Sequence, residues 1–110
     1  MKRCIFAVLG FLLVLSAPSV RSAQPLTVYT VNYPLKYFAE RIAGSAVNVV
    51  FNAPADGDPA FWEPTDDDVT AFQAADLILL NGATYEKWRQ HVSVPDSIVV
   101  DTAAGFSSQF

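Results

Sequence analysis

The chain has 110 residues, enough for one small domain, with 7 basic against 11 acidic side chains and a formal charge of −4. This excess of carboxylates argues against nucleic acid as a partner, because phosphates are held chiefly by Lys and Arg. It is compatible with cations without requiring them, since an acidic surface commonly serves solubility alone.

The N-terminus sets the compartment. Met1, Lys2 and Arg3 precede an apolar run from Ile5 to Leu15, followed by the small residues Ser16, Ala17, Ser19, Ser22 and Ala23. That order predicts a secretory signal peptide over residues 1–22, cut between Ser19 and Ala23, and so a periplasmic product. The apolar run is shorter than the ~20 residues a membrane span needs. Cys4 lies before the run, not after it, so it leaves with the signal rather than carrying a lipid. Residues 23–110 then hold no thiol for a disulfide or a metal. They keep four basic residues (Lys36, Arg41, Lys87, Arg89) against all eleven acidic ones, a charge of −7.

From residue 26 the chain alternates strand and helix patterns. Leu26 to Val31 is rich in β-branched and aromatic residues and reads as a buried strand. Pro34 suits the first turn of a helix. Leu35, Phe38, Ala39 and Ile42 fall on one helical face, and Gly44 ends the helix. Ala46 to Phe51 is the second strand. A second helix is expected to start at Thr65, whose hydroxyl caps it, with Asp66, Asp67 and Asp68 against the positive end of the helix dipole. Val69, Phe72 and Ala75 give it a buried face. Leu77 to Leu80 lacks polar alternation, as in a strand covered on both faces. Tyr85, Trp88 and Val92 predict a third helix, and Ser97 to Val100 a fourth strand. This order predicts an α/β fold: a parallel four-stranded sheet with helices on both faces, the first strand paired to the second and third.

Ligands of open parallel sheets collect at the carboxyl ends of the strands. This selects Asn32 and Tyr33, the segment Asn52 to Pro64, Asn81 with Gly82 and Ala83, and the chain after Asp101. The second segment has thirteen residues, where such loops usually take about 2–6. Three prolines stiffen it, and Asp56, Asp58, Phe61, Trp62 and Glu63 are its candidate ligand contacts. Trp62 either contacts a ligand or lids the helix ends. An enzyme finds little support: the chain has no Gly-rich phosphate loop, no Gly-x-Ser-x-Gly elbow and no His-Glu-x-x-His. Its one histidine, His91, has no evident catalytic partner in sequence and reads as a surface residue.

Several short motifs resemble the metal-specific solute-binding proteins of ABC transporters, the zinc and manganese binders. They are Tyr33-Pro34-Leu35, Ala43-Gly44, Asp58-Pro59 with Glu63-Pro64-Thr65, Ala75-Asp76-Leu77, and Asn81-Gly82-Ala83 followed by Glu86 and Trp88. The resemblance implies two α/β lobes joined by a long helix, with zinc or manganese held between them and delivered to an inner-membrane permease. It makes residues 23–110 a partial N-terminal lobe and the chain a truncated form. In relatives with Asp-Pro-His-x-x-Glu-Pro, the histidine after the proline binds metal; here that position is Ala60. No metal-ligand set therefore carries over, and no resident cofactor is implied. Two other readings stay open: a lobe binding a non-metal solute through Phe61 and Trp62, and a small periplasmic enzyme of doubly wound fold. A partial lobe is also expected to expose apolar surface beside the fourth strand, from Ile98, Val99, Val100 and Phe106.

Overall fold

The computed structural model describes residues 23–109; the expected signal peptide lies outside them. The strands are β1 (Leu26–Thr30), β2 (Val47–Val50), β3 (Leu77–Leu80) and β4 (Val99–Asp101), and the helices are α1 (Tyr33–Ala43) and α2 (Asp66–Gln73). The sheet is parallel throughout, in the order β2-β1-β3-β4. Tyr29 stands between Val50 on β2 and Ile78 on β3, and Ile78 in turn pairs with Val99 on β4.

Because side chains alternate across a strand, this register fixes what each face presents. Tyr29, Val31, Ile78 and Leu80 pack together with Phe72 of α2, Ala75, Trp88 and Val94 as one core. Val28, Leu77 and Leu79 point the other way, toward α1. Phe72 is the hub of the core. Its ring lies edge-on to Tyr29 at 5.0 Å and tilted against Trp88 at 5.3 Å. Trp88 and Ile78 are each 1% exposed.

Both helix starts follow their sequence signals. The Asn32 side chain accepts a hydrogen bond from the Leu35 N–H at 2.9 Å, and Pro34 occupies the first turn of α1. At α2 the Thr65 hydroxyl oxygen accepts from the Asp68 N–H, while the Asp68 carboxylate accepts from the Thr65 N–H and hydroxyl. This reciprocal box satisfies two N–H groups that the helix leaves unbonded.

Two expectations need correction. The segment from Tyr85 to Val92 is not an α-helix but a single 3₁₀ turn, Lys87–Gln90. Gly82, Ala83 and Thr84 before it have φ of 77°, 51° and 61°, and Glu86 is extended with its carboxylate turned back on the strand end. A right-handed helix has no room to start there. The fourth strand begins at Val99 rather than Ser97, because Asp96–Ile98 forms a 3₁₀ turn closed by the Ile98 N–H on the Pro95 carbonyl. Both of these departures lie in the second half of the chain; in the first half, α1 has its expected place but no fully buried residue. Leu35 and Ala39 are half-buried, but Phe38 is 58% and Ile42 85% exposed. The apolar face of α1 is wider than the part of the sheet it covers. An open groove of about 190 Å³ remains between Ala39, Ile42 and Ala43 on one side and Leu77 and Leu79 on the other.

Candidate functional site

The parallel order brings the ends of all four strands to one edge. There the side-chain amide of Asn32 donates to the side-chain oxygen of Asn81 at 3.1 Å. Asn32 is 7% exposed and serves two elements at once, capping α1 with its oxygen and holding β3 with its nitrogen. The Thr102 hydroxyl, just past β4, donates to the Leu80 carbonyl at 2.8 Å. The ends of β1, β3 and β4 are thus tied by side chains as well as by the sheet.

Glu86 completes this edge. Its carboxylate is buried, and it accepts the backbone N–H groups of Asn81 and Gly82. A charge taken from water needs such donors. They explain how three successive left-handed residues, Gly82 to Thr84, are held in place, since this conformation costs roughly 1–2 kcal/mol for a residue with a Cβ. Beside this turn an open cleft of about 230 Å³ is lined by Thr84, Glu86, Arg89 and Asp101, among others. Burial raises the pKa of Tyr85, and the negative charges of Asp58 and Glu86 push it the same way.

The long loop is ordered by its own polar groups. The Asp58 carboxylate accepts the Ala60 N–H at 3.0 Å and caps a 3₁₀ turn, Pro59–Phe61. Ala60, at the resemblance's histidine position, is 9% exposed. The Asn52 amide donates to the Asp68 carboxylate at 2.8 Å, joining the start of the loop to α2. Burial alone would raise the Asp68 pKa, but its hydrogen bonds from Thr65 and Asn52 outweigh that and hold it below the usual range.

The other expected residues divide. Asp56 is exposed. Tyr33 is 69% exposed and lies edge-on to Phe51 at 6.4 Å. Phe61 is 67% exposed. Trp62 is half-buried, edge-on to Phe72 at 6.2 Å, so it lids the core. The Glu63 carboxylate lies 2.7 Å from Nε2 of His91. Among the described residues no three His, Cys, Asp or Glu side chains converge as a metal set.

Two residues of this edge escaped the sequence as participants. Glu86 entered only as part of a resembling motif, although a carboxylate between Tyr85 and Trp88 is itself a sign of a buried partner. The His91–Glu63 pairing spans 28 positions and leaves no mark in local spacing.

Comparison with known proteins agrees with this architecture. The profile of the ZnuA family, described as zinc-uptake complex component A periplasmic, matches residues 28–108. The high-affinity zinc uptake system protein ZnuA of Bacillus subtilis is 35% identical over 63 residues, which is 57% of this chain and 20% of that protein. The crystal structure of the metal-dependent lipoprotein YcdH from Bacillus subtilis superposes with a TM-score of 0.65 at 28% identity, covering 73% of this chain and 32% of that one. A zinc-bound deletion mutant of ZnuA gives a TM-score of 0.64 at 26% identity, covering 74% and 32%. The chain therefore spans about a fifth of the length of the curated relative and about a third of the solved structures. The matched profile covers nearly the whole described fold: the chain belongs to the ZnuA family of metal-ion solute-binding proteins.

Proposed function

We propose that this chain acts in the periplasm as the substrate-binding component of an ABC transporter for zinc or manganese, by binding rather than catalysis. The observation that carries this reading is the family match over residues 28–108. Zinc is favoured over manganese because the similar proteins include a zinc uptake protein and a zinc-bound ZnuA. The metal is cargo, to be handed to a permease in the inner membrane. Such a hand-over requires the loaded protein to differ in shape from the empty one, so the metal must contact one state better than the other.

Within this reading, Asn32, Tyr33, Asn81, Asp58 and Glu63 frame the face that receives cargo. Ala60 is the departure. An alanine at this position supplies no imidazole, and zinc prefers imidazole or thiolate in a four-ligand shell. Any tight site thus needs donors beyond these strand ends. The test is capture in living cells. The tagged chain is cross-linked at the exposed Tyr33 and Phe61, then recovered from solubilised membranes. Recovery of an ABC-transporter permease is expected, and its loss when the tagged chain is replaced by an unrelated exported domain. Consistent recovery without any permease overturns the reading.

A further inference from the structure

We infer that α1 and the groove beside it form the contact face of a symmetric pair of chains, in which the Phe38 ring of each copy enters the groove of the other. The inference does not depend on the transport reading. Tyr33, Tyr37 and Arg41 follow one another at i, i+4 spacing along α1, and Phe38 and Ile42 form the adjacent row. All five are exposed. Aromatic side chains and Arg are what protein interfaces select, whereas Lys and Glu dominate free surface.

The same face supplies the hole. The groove between α1 and β3 measures about 190 Å³ and is lined by apolar side chains, Leu77, Leu79, Ala39 and Ala43 among them. An apolar cavity of about 150 Å³ accepts a benzene ring, so the groove has room for one phenyl side chain. Ile42 is both a wall of the groove and the residue one turn beyond Phe38 on α1. Ring and hole therefore lie side by side, and a two-fold axis between them brings each ring to the other copy's groove. An isologous interface has this form, one patch complementary to itself.

Charge favours a second copy on this face over any other. Residues 23–110 carry four basic and eleven acidic side chains, so two copies repel over most of their surface. Two of the four basic residues, Lys36 and Arg41, are on α1, with Glu40 its one carboxylate. Lys36 and Glu40 pair with each other at 3.9 Å, about half a turn round the helix from Phe38. Arg41 sits over the Tyr37 ring, 5.9 Å from its centre. Two acidic chains thus approach with least repulsion through α1.

Sedimentation equilibrium of the purified chain should show association that stops at the dimer. In a mixture of labelled and unlabelled chain, NMR should show contacts between copies from the Phe38 ring to the Leu77 and Leu79 methyl groups. Phe38→Ala removes the ring and Ala43→Leu fills the groove. Each should weaken association at least about tenfold, the loss expected of a single interface anchor, with unchanged circular dichroism. Mixing the two variants should restore part of the association, because the Phe38 ring kept by one meets the open groove kept by the other. Association that runs on past the dimer, or that survives Phe38→Ala, overturns the inference. So does a chain that stays monomeric at NMR concentration. Such a monomer, if it sediments with phosphatidylglycerol vesicles and loses this in Phe38→Ala, would make α1 a lipid-binding helix instead.

Discussion

Asn32 holds Asn81 across the carboxyl edge of the sheet, amide to carbonyl oxygen at 3.1 Å, while its own oxygen caps α1 at 2.9 Å. One buried side chain thus sets both where the first helix starts and where the third strand ends. Asn32→Ala removes the cap and leaves Asn81 short of a donor. A loss of about 1–2 kcal/mol is expected, read as a lower urea midpoint with an unchanged slope. Asn32→Asp, which keeps the cap but cannot donate to Asn81, should fall between the two.

A side chain at Gly82 would meet two separate obstacles. Its φ is +77°, and a Cβ there would lie 1.8 Å from Oδ1 of Asp101. Backbone strain of this sort costs on the order of 1–3 kcal/mol, and the clash adds to it. Gly82→Ala should therefore destabilise strongly in thermal unfolding. The double variant with Asp101→Ala should recover the steric part but not the strain. Full recovery would show that φ contributes nothing.

Asp68 gives the fold a defined pH dependence. Its hydrogen bonds lower its folded-state pKa from the ordinary value of 3.8. A depressed carboxylate contributes stability that is present above the unfolded-state pKa and lost as pH falls through the folded-state value. At neutral pH, Asp68→Ala should cost about 1 kcal/mol by loss of the capping box. The gap between wild type and variant should narrow steadily as pH falls below about 4. A gap that stays constant down to pH 2 would show that the carboxylate's charge plays no part.

Much of this architecture was legible before any coordinates. Leu26 to Val31 is rich in β-branched and aromatic residues and Leu77 to Leu80 is wholly apolar, and both became strands at the centre of the sheet. Thr65 with the three aspartates after it announced the start of α2. What failed did so because the deciding contacts are not periodic. Trp88 and Val92 have helical spacing, yet the Glu86 carboxylate on Asn81 and Gly82 turns the chain before a helix can form. Phe38 and Ile42 lie on the apolar face of α1, but spacing shows only that a face is apolar, not whether a neighbour covers it. The candidate site was half legible. The strand-end rule singled out Asn32 and Asn81 but could not foresee that they pair with each other, while of the loop's carboxylates Asp58 caps a turn and Glu63 pairs with His91.

The uncovered face of α1 leads to the last prediction. The expected apolar exposure beside the fourth strand holds for Val100 at 46% and Phe106 at 57%, whereas Ile98 and Val99 pack against the core. The larger exposure is elsewhere. Phe38 and Ile42 stand out from α1, and Ile42 borders the groove over Leu77 and Leu79. Contiguous apolar surface of this kind drives association unless something covers it. The purified chain should therefore bind apolar dyes and show concentration-dependent sedimentation. Ile42→Lys separates surface from stability. Position 42 is 85% exposed in the last turn of α1, where a cation meets the negative end of the helix dipole. The unfolding free energy should shift by no more than about 0.5 kcal/mol, while dye binding and association both fall. Val100→Lys, on the edge strand, serves as the comparison and should reduce association less. If Ile42→Lys leaves sedimentation unchanged and Val100→Lys abolishes association, the exposed edge of β4 rather than the α1 groove is the sticky surface.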